Sequence, residues 1–290
     1  MPVLIPAPKG KDKVRETSSY LRKRFFFCIA FVAMTLLLKP EQIERYSRQI
    51  MIPELGGKGQ IRLRESKVLV VGAGGLGSPA ALYLTAAGVG ILGIVDHDEV
   101  ELSNLQRQIL HSTADLGKQK VASARDKLFQ LNPEVEVLTY CARLDEANAP
   151  DIFASYDFIV DGSDNFATKF VVNDAAVSLG KPFSHAGILR FQGQTMTVLP
   201  HRSACYRCVF REEPPAGEIP GCQQAGILGA VAGTIGSIQA TEAIKFLIGM
   251  EEGLLVNRLL VYNAQTLTMR TVEVRPDPQC QACHPANPLG

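Results

Sequence analysis

The chain has 290 residues, of which 46% are hydrophobic and 20% are charged, a composition typical of a soluble globular protein of one or two domains. Its 30 lysine and arginine residues nearly balance 29 acidic residues, which leaves a formal net charge of +1. No overall field therefore favours nucleic acid or an anionic membrane as a partner, and any anion-binding site must be local.

The first 33 residues are expected to lie outside the fold. Basic residues between positions 9 and 24 precede an apolar run at residues 25–38, which is shorter than the roughly 20 residues that span a membrane. The run resembles the core of a signal peptide, but no small-x-small cleavage site follows it. Met34 lies within the run, and a misassigned start codon would produce such an extension. A membrane anchor is the less favoured alternative.

Alternating helices and strands are predicted from residue 42 to residue 185. Helical patterns occupy residues 42–63, 78–87, 118–131 and 168–179. Apolar, β-branched runs of the buried-strand type occupy residues 67–72, 91–96, 135–140, 158–161 and 182–185. This alternation predicts an α/β fold of the Rossmann-like, doubly wound type, with a mostly parallel sheet and helices on both of its faces.

The pattern changes after residue 187. Shorter strands are predicted at residues 194–199, 259–262 and 271–274, the last with an antiparallel alternation, and a helix of small residues at 225–250. A loop rich in proline and glycine occupies residues 211–221. We therefore divide the chain into an extension (1–33), a nucleotide-binding half (34–187) and a second half of the same domain (188–290), in which antiparallel strands extend the sheet.

A glycine-rich turn follows the first strand. Gly72, Gly74 and Gly77 fit the G-x-G-x-x-G pattern, and Gly75 adds another position without a side chain. Glycines at this spacing permit a tight turn and a close approach of phosphate to a helix N-terminus. Asp96 ends the next strand, where a carboxylate accepts hydrogen bonds from a ribose. The sequence predicts a nucleotide site, although not the identity of the nucleotide.

The segment at residues 102–108, LSNLQRQ, favours ATP over a nicotinamide. Asn104, Arg107 and Lys120 would follow the ribose-binding carboxylate closely, and a dehydrogenase has no evident use for them. An enzyme that splits ATP between the α and β phosphates needs such donors, because negative charge builds up on the bridging and leaving oxygens. The alternative is that the two cations are solvated surface charges.

A second acidic motif ends the fourth strand, at residues 161–165 (DGSDN). The carboxyl edge of such a sheet is where ligands bind, and Mg²⁺ on ATP takes one or two carboxylates and otherwise water. Asp164 is the candidate magnesium ligand. Asp161, nearer the strand, is expected to cap a helix or to hydrogen-bond the loop.

Seven cysteines include two CxxC pairs, Cys205 with Cys208 and Cys280 with Cys283. Together they predict a closed, tetrahedral zinc site of the structural type that ties the C-terminal region to the rest of the domain. His284 in place of Cys283, or a redox role, are the less favoured alternatives. Paired free thiols indicate a reducing compartment, and we expect the protein in the cytoplasm.

These motifs together resemble one family. RYSRQ at residues 45–49, GAGGLG, LSNLQRQ, Lys120 and DGSDN are similar to those of the MoeB/ThiF/HesA family, relatives of the ubiquitin-activating enzymes, and most closely to its MoeB-type adenylyltransferases. The resemblance runs from about residue 43 to residue 283. It implies that ATP adenylates the C-terminal Gly-Gly tail of a ubiquitin-like sulfur carrier of the molybdopterin or thiamine type. The second half of the chain would bind the carrier and zinc.

The resemblance also implies roles for single residues. In a homodimer, Arg48 would reach the ATP of the partner subunit. Cys222 would bond covalently with the carrier tail in some family members and be an incidental loop cysteine in others. The catalytic candidates are Arg48, Arg107, Lys120, Asp164 and Cys222. The nucleotide-binding candidates are Gly72, Gly74, Gly75, Gly77, Asp96, Ser103, Asn104, Leu105, Gln106, Arg107, Lys120, Asp164 and Asn165.

Three alternatives and one further expectation remain. The chain ends soon after its last CxxC, so sulfur is expected from a separate donor protein. A tRNA-modifying dehydratase of the same superfamily would adenylate a small carboxylate instead. A nicotinamide dehydrogenase would share the glycines and Asp96, and a catalytically silent binding partner would share the fold.

Overall fold

A computed structural model of the protein describes residues 38–215 and 225–284. The chain divides into two compact units, one up to Ile61 and one from Arg62 onwards. The predicted N-terminal extension, nearly all of the apolar run and Cys222 lie outside the described residues. Among the residues that are described, no helix combines the length and the apolar character needed to cross a membrane.

The described part of the first unit is helical. In place of the single helix predicted over residues 42–63, the chain forms α1 (Pro40–Arg45), α2 (Ser47–Ile50) and α3 (Gly56–Glu65). Pro53 lies in the interruption, where it supplies no N–H for a helical hydrogen bond. Gly56, the first residue of α3, has a φ of +57°, a left-handed conformation that separates α3 from the preceding helical turns.

The second unit contains an eight-stranded sheet in the order β3-β2-β1-β4-β5-β6-β7-β8. Its strands are β1 (Lys67–Val71), β2 (Ile91–Val95), β3 (Glu136–Tyr140), β4 (Phe158–Asp161), β5 (Phe183–Leu189), β6 (Gln192–Val198), β7 (Arg258–Asn263) and β8 (Thr268–Glu273). Neighbouring strands are parallel across β3-β2-β1-β4-β5 and antiparallel across β5-β6-β7-β8. The predicted parallel sheet with an antiparallel extension is confirmed.

Helices cover the central strands of the sheet. They are α4 (Gly77–Ala87), α5 (Lys120–Leu131), α6 (Ala149–Ala154), α7 (Phe166–Ser178), α8 (Tyr206–Val209) and α9 (Gly229–Leu247). Four of the five residues of β1 and all four of β4 are buried, as expected for strands that are covered on both faces. All residues of β8, at the edge of the sheet, are exposed.

Several predicted elements have different bounds, and the contacts of two of them give the reason. The strand predicted at residues 182–185 continues to Leu189, because β5 and β6 form a long antiparallel hairpin. The helix predicted from residue 225 begins at Gly229 instead. Gly226 has a φ of +79°, and Leu228 N donates to Arg190 O over 3.1 Å, so this segment runs beside the hairpin before it becomes helical.

The order of the strands places the functional site. The chain moves outward from β1 through β2 to β3 and then returns to β4 on the other side of β1. At such a switch point the loops after β1 and β4 diverge and leave a crevice at the carboxyl edge of the sheet. The glycine turn and the DGSDN motif are those two loops.

Candidate active site

A cavity of about 480 Å³ occupies this crevice. Eight of the residues predicted from the sequence line it: Gly72, Gly74, Gly75, Asp96, Arg107, Lys120, Asp164 and Asn165. They come from the ends of β1, β2 and β4, from the LSNLQRQ segment and from the start of α5. The fold therefore gathers residues that are almost 100 positions apart in the chain around one space.

Glycine is needed at two positions of the turn, for different structural reasons. Gly72 has a φ of +87°, and Gly77 packs so closely that a Cβ there would collide with the carbonyl oxygen of Gly72. Gly77 is buried at the start of α4, whereas Gly74 and Gly75 line the cavity. No side chain in the described part of the chain caps α4. Ser78 N already donates to Gly74 O over 2.9 Å, so the residues of the turn that line the cavity, Gly74, Gly75 and Leu76, are the ones suited to a phosphate.

Asp96 stabilises this turn as well as facing the cavity. One carboxylate oxygen accepts from Ala73 N and the other from Asp98 N, both over 2.8 Å. Each oxygen retains a second acceptor position, since a carboxylate offers about four lone-pair sites. Asp96 can therefore hold the glycine turn and accept hydrogen bonds from a ribose at the same time.

The two cations predicted from the sequence, Arg107 and Lys120, both border the cavity. Lys120, the first residue of α5, donates from Nζ to Asp98 Oδ2 over 2.8 Å. Burial raises the pKa of Asp98, but the hydrogen bond and charge of Lys120, with the charge of His97, bring it below its ordinary value. Arg107 donates from Nη1 to Ser103 O over 2.9 Å, and its aliphatic stem lies beside Gly75.

Other residues of the LSNLQRQ segment lie next to Arg107, beside the first cavity. Ser103, Asn104 and Gln106 line a second cavity of about 380 Å³, which shares Arg107 with the first. The buried Asn104 accepts from Glu101 N and donates to Ser103 Oγ, both over 3.3 Å, and so closes the short turn; Leu105 is half-buried. These four residues were predicted to contact the nucleotide, but they are not among the residues that line the first cavity.

The DGSDN loop presents its second aspartate to the cavity. Asp164 is exposed and accepts from Asn165 Nδ2 over 3.4 Å. Asn165 accepts in turn from Thr168 N over 2.9 Å and so caps α7. Asp161 is buried and accepts from both N and Oγ of Ser163, over 3.0 and 2.5 Å. It is a hydrogen-bonder of the loop, the role expected for it.

Sequence reasoning missed the polar floor of the cavity. Lys169 on α7 and His185 on β5 are both buried, line the cavity and contact Asp161 Oδ2, at 3.3 and 3.1 Å. Burial raises the pKa of Asp161, but the charge of Lys169 and the hydrogen bond from His185 lower it to about 2. Asp161 is therefore ionised, and His185 must donate to it from Nδ1.

His185 is held neutral by the same surroundings. Burial lowers its pKa, which the hydrogen bond to Asp161 only partly offsets. Its Nε2 atom has no hydrogen-bond partner among the described residues. The ring lies 4.4 Å, centroid to centroid, from that of Tyr206, whose pKa is raised by burial and then by the charge of Asp161. The floor therefore carries one buried ion pair beside a neutral imidazole.

The four predicted zinc ligands meet in one cluster, and none of them lines the cavity. The Sγ atoms of Cys205, Cys208, Cys280 and Cys283 all lie within 4.8 Å of one another. Distances of 3.9, 3.6 and 3.5 Å separate Cys205 from Cys208, Cys205 from Cys280, and Cys208 from Cys283. Tetrahedral ligands about 2.3 Å from zinc lie about 3.8 Å apart, so the donor set fits this metal.

Two predicted residues stand apart from this geometry. Arg48 is an exposed residue of α2 in the first unit. Cys222 lies outside the described residues. Neither role predicted for them is tested by the geometry of the second unit.

Comparison with known proteins decides the family. Residues 46–282 match the ThiF family. The chain belongs to this family. The resemblance inferred from the sequence motifs is therefore confirmed, and the ThiF match includes both CxxC pairs except for the last cysteine.

Two curated relatives are similar to most of this ThiF chain. A probable adenylyltransferase/sulfurtransferase, MoeZ of Mycobacterium tuberculosis, is 48% identical over 245 residues, which are 83% of this chain and 62% of MoeZ. A sulfur carrier protein adenylyltransferase of Thermus thermophilus is 45% identical over 248 residues, which are 84% of this chain and 91% of that protein. The chain thus spans less than two thirds of the length of MoeZ.

A solved structure confirms the fold. The crystal structure of E. coli MccB with ATP superposes with a TM-score of 0.73 at 23% identity, over 90% of this chain and 81% of that one.

Proposed function

We propose that this ThiF-family chain transfers AMP from ATP to the C-terminal carboxylate of a ubiquitin-like sulfur carrier that ends in Gly-Gly. The observation that carries the proposal is the composition of the cavity. A glycine turn, the ribose-side Asp96, two cations and the carboxylate of Asp164 border one space at the switch point of the sheet. A relative of similar length is itself named a sulfur carrier protein adenylyltransferase.

The residues act by binding and by stabilising charge. The glycine turn before α4 receives phosphate oxygens, and Asp96 orients the ribose. A carboxylate oxygen of the carrier attacks the α-phosphorus, and the bond to the bridging oxygen breaks as pyrophosphate leaves with the electron pair. Arg107 and Lys120 stabilise the negative charge that develops on the transferred and leaving oxygens. The reaction needs no nucleophile from the protein.

Asp164 is the proposed magnesium ligand. Its carboxylate is exposed at the cavity and its neighbour Asn165 is fixed as the cap of α7, so the position suits a hard cation that keeps several waters. Bound Mg²⁺ would neutralise phosphate charge and make pyrophosphate a better leaving group. Asp164 and the loop that carries it are the chain's own contribution to this step.

The other side of the cavity suits an extended glycine tail. It is formed by the β5–β6 hairpin and by aromatic residues, and lined by Gly187, Ile188, Leu189, Gly193, Tyr206 and Phe210. Gly187 adds no side chain to this part of the lining, and the rings of Tyr206 and Phe210 border the same space. A tail without side chains would fit beside this lining, which also includes Glu212 and Pro214.

Three further parts belong to the proposal. Zinc, held by the four cysteines, ties residues 280–283 to α8, and the cluster of reduced thiols fits a cytoplasmic protein. Two copies form a homodimer in which Arg48 of each completes the site of the other. Sulfur is delivered by a separate donor protein after adenylation.

Pyrophosphate exchange tests the proposed reaction. With a recombinant carrier that ends in Gly-Gly, labelled pyrophosphate should be incorporated into ATP, because formation of the adenylate is reversible. A carrier that lacks the last glycine is the matched control and should support no exchange. Exchange driven by a small carboxylate without any carrier would favour the dehydratase. Protection against thermal unfolding by NAD⁺ but not by ATP with Mg²⁺ would favour the dehydrogenase.

A further inference from the structure

Lys169 is a buried cation whose hydrogen bonds all point toward the loop that carries Asp164 and the strand beside it. Its Nζ atom donates to Ser163 O over 2.8 Å and to Ala186 O over 2.6 Å. It also lies 3.3 Å from Asp161 Oδ2 and 3.4 Å from Ser163 Oγ. The side chain is 8% exposed although it borders the cavity. An ammonium group has three protons, so these contacts use its full donor capacity.

This saturation assigns Lys169 a different role from Arg107 and Lys120. A cation with no proton to spare is not a direct phosphate ligand in this conformation. Burying a charge costs free energy that the Asp161 ion pair and the carbonyl contacts must offset. Lys169 is therefore a buried cation at the base of the cavity. Its two shortest hydrogen bonds are to backbone carbonyl groups, those of Ser163 and Ala186.

The backbone that it holds is the segment next to the magnesium candidate. Ser163 immediately precedes Asp164, and its carbonyl group accepts from Lys169 while its N–H and hydroxyl groups donate to Asp161. On the other side of Asp164, Asn165 is fixed as the cap of α7. Asp164 therefore lies between two residues that are held by hydrogen bonds, Ser163 and Asn165. Lys169 connects Ser163 to β5, because its Nζ atom also donates to Ala186 O.

We propose that Lys169 is a positioning residue that sets the place of Asp164 and thereby the affinity of the site for Mg²⁺ bound to ATP. This inference rests on the proposed function, because it assigns the metal to the nucleotide site. Residues that orient a metal ligand typically change metal affinity or activity by about 10–100-fold when they are replaced. We expect Lys169→Met to fall in that range.

The test measures ATP binding at a series of Mg²⁺ concentrations and in EDTA, by isothermal calorimetry. In the wild type, Mg²⁺ should tighten ATP binding. In Lys169→Met, affinity in EDTA should be nearly unchanged, while the Mg²⁺ concentration needed for half of the effect should rise about tenfold or more. Pyrophosphate exchange should show the same rise, with its plateau at high Mg²⁺ largely preserved. Lys169→Arg, which keeps a buried multi-proton donor, should restore much of the Mg²⁺ affinity.

The control is a lysine that tethers backbone elsewhere. Lys181 donates from Nζ to Ala154 O over 2.7 Å and to Tyr156 O over 2.9 Å, beyond the opposite end of α7. Lys181→Met removes a comparable tether but should leave the Mg²⁺ dependence of ATP binding at the wild-type value.

A double variant separates positioning from charge balance. If Lys169 served only to neutralise Asp161, Asp161→Asn combined with Lys169→Met would remove both charges and restore wild-type Mg²⁺ dependence, which would overturn the inference. We expect instead that this variant unfolds at a higher temperature than Lys169→Met but keeps the weak Mg²⁺ response. A wild-type Mg²⁺ response in Lys169→Met would also overturn it. A wild type that binds no ATP, with or without Mg²⁺, would contradict the proposed function itself.

Discussion

Lys120 and Asp98 form an ion pair in which only one partner is buried. The Nζ atom lies 2.8 Å from Oδ2, and the exposed fractions of the two side chains are 6% and 52%. A buried ammonium loses hydration, so a carboxylate at the rim of the cavity compensates Lys120 before any phosphate arrives. Asp98 therefore orients the Lys120 ammonium group while its own side chain stays about half exposed.

This asymmetry predicts unequal effects of the two partners on pyrophosphate exchange. Lys120→Met removes a donor for the developing charge and should lower the exchange rate by about 10²–10³. Asp98→Asn keeps an acceptor for Lys120 and should lower it by only about tenfold, in line with other residues that orient a group in the site. Asp126→Asn changes an exposed carboxylate on the same helix and should have no effect. Equal losses in Lys120→Met and Asp98→Asn would contradict the assigned roles.

The buried Asp161 predicts part of the dependence of stability on pH. Its pKa in the folded state is about 2, below the value of about 3.9 for an unfolded chain. The resulting stabilisation is present above about pH 4 and is lost as the pH falls toward 2, by on the order of 2–3 kcal/mol. In urea unfolding, the difference in free energy of unfolding between wild type and Asp161→Asn should shrink between pH 5 and pH 3. A difference that stays constant over this range would contradict the assigned pKa.

The sequence predicted the parts of the site that lie in local motifs. The glycine turn, Asp96 and the loop of Asp164 each follow a strand. Parallel strands bring their carboxyl ends to one edge, so the meeting of these residues could be expected. Lys169 and His185 could not be found in this way. A lysine within a helix and a histidine within a strand have no local pattern, and only the tertiary packing of α7 and β5 brings them to Asp161. The ion pair of Lys120 with Asp98 depends in the same way on where α5 begins.

The four-cysteine cluster predicts one tightly bound zinc per chain. Cys205→Ser and Cys280→Ser should each lower both the zinc content and the unfolding temperature, because binding of a structural metal is coupled to folding. Cys141 is exposed and lies outside the cluster, so Cys141→Ser should retain the zinc and the stability of the wild type. Metal analysis and thermal unfolding of the three variants check this. Full stability of metal-free Cys205→Ser would remove the zinc assignment.

The proposed homodimer predicts complementation between two inactive variants. Arg48→Ala and Lys120→Ala should each lose nearly all exchange activity on their own. After the subunits exchange at random, half of the dimers carry one of each, with one intact site, so activity should recover to about a quarter of the wild-type value. Size exclusion with differently tagged subunits confirms the exchange. Absence of recovery in confirmed mixed dimers would mean that Arg48 acts within its own subunit or not at all.

Adenylation and sulfur delivery should depend on different residues, Asp164 and Cys222. Asp164→Ala should abolish pyrophosphate exchange because it removes the proposed magnesium ligand. Cys222→Ala should leave exchange intact, because the carrier's own carboxylate is the nucleophile and no thiol takes part in forming the acyl adenylate. If Cys222 bonds with the tail, the variant should fail only in a second assay, transfer of sulfur from a donor protein to the adenylated carrier.

Measuring both assays on the same two variants separates the steps. Loss of exchange in Cys222→Ala, with an unchanged unfolding temperature, would contradict this division, because the thiol would then help to place the tail beside ATP. Normal sulfur transfer in the same variant would instead make Cys222 an incidental loop cysteine and leave the adenylation site unaffected. Asp164→Ala is the reference for both outcomes, since a chain that forms no adenylate offers no activated carboxyl group for sulfur to attack.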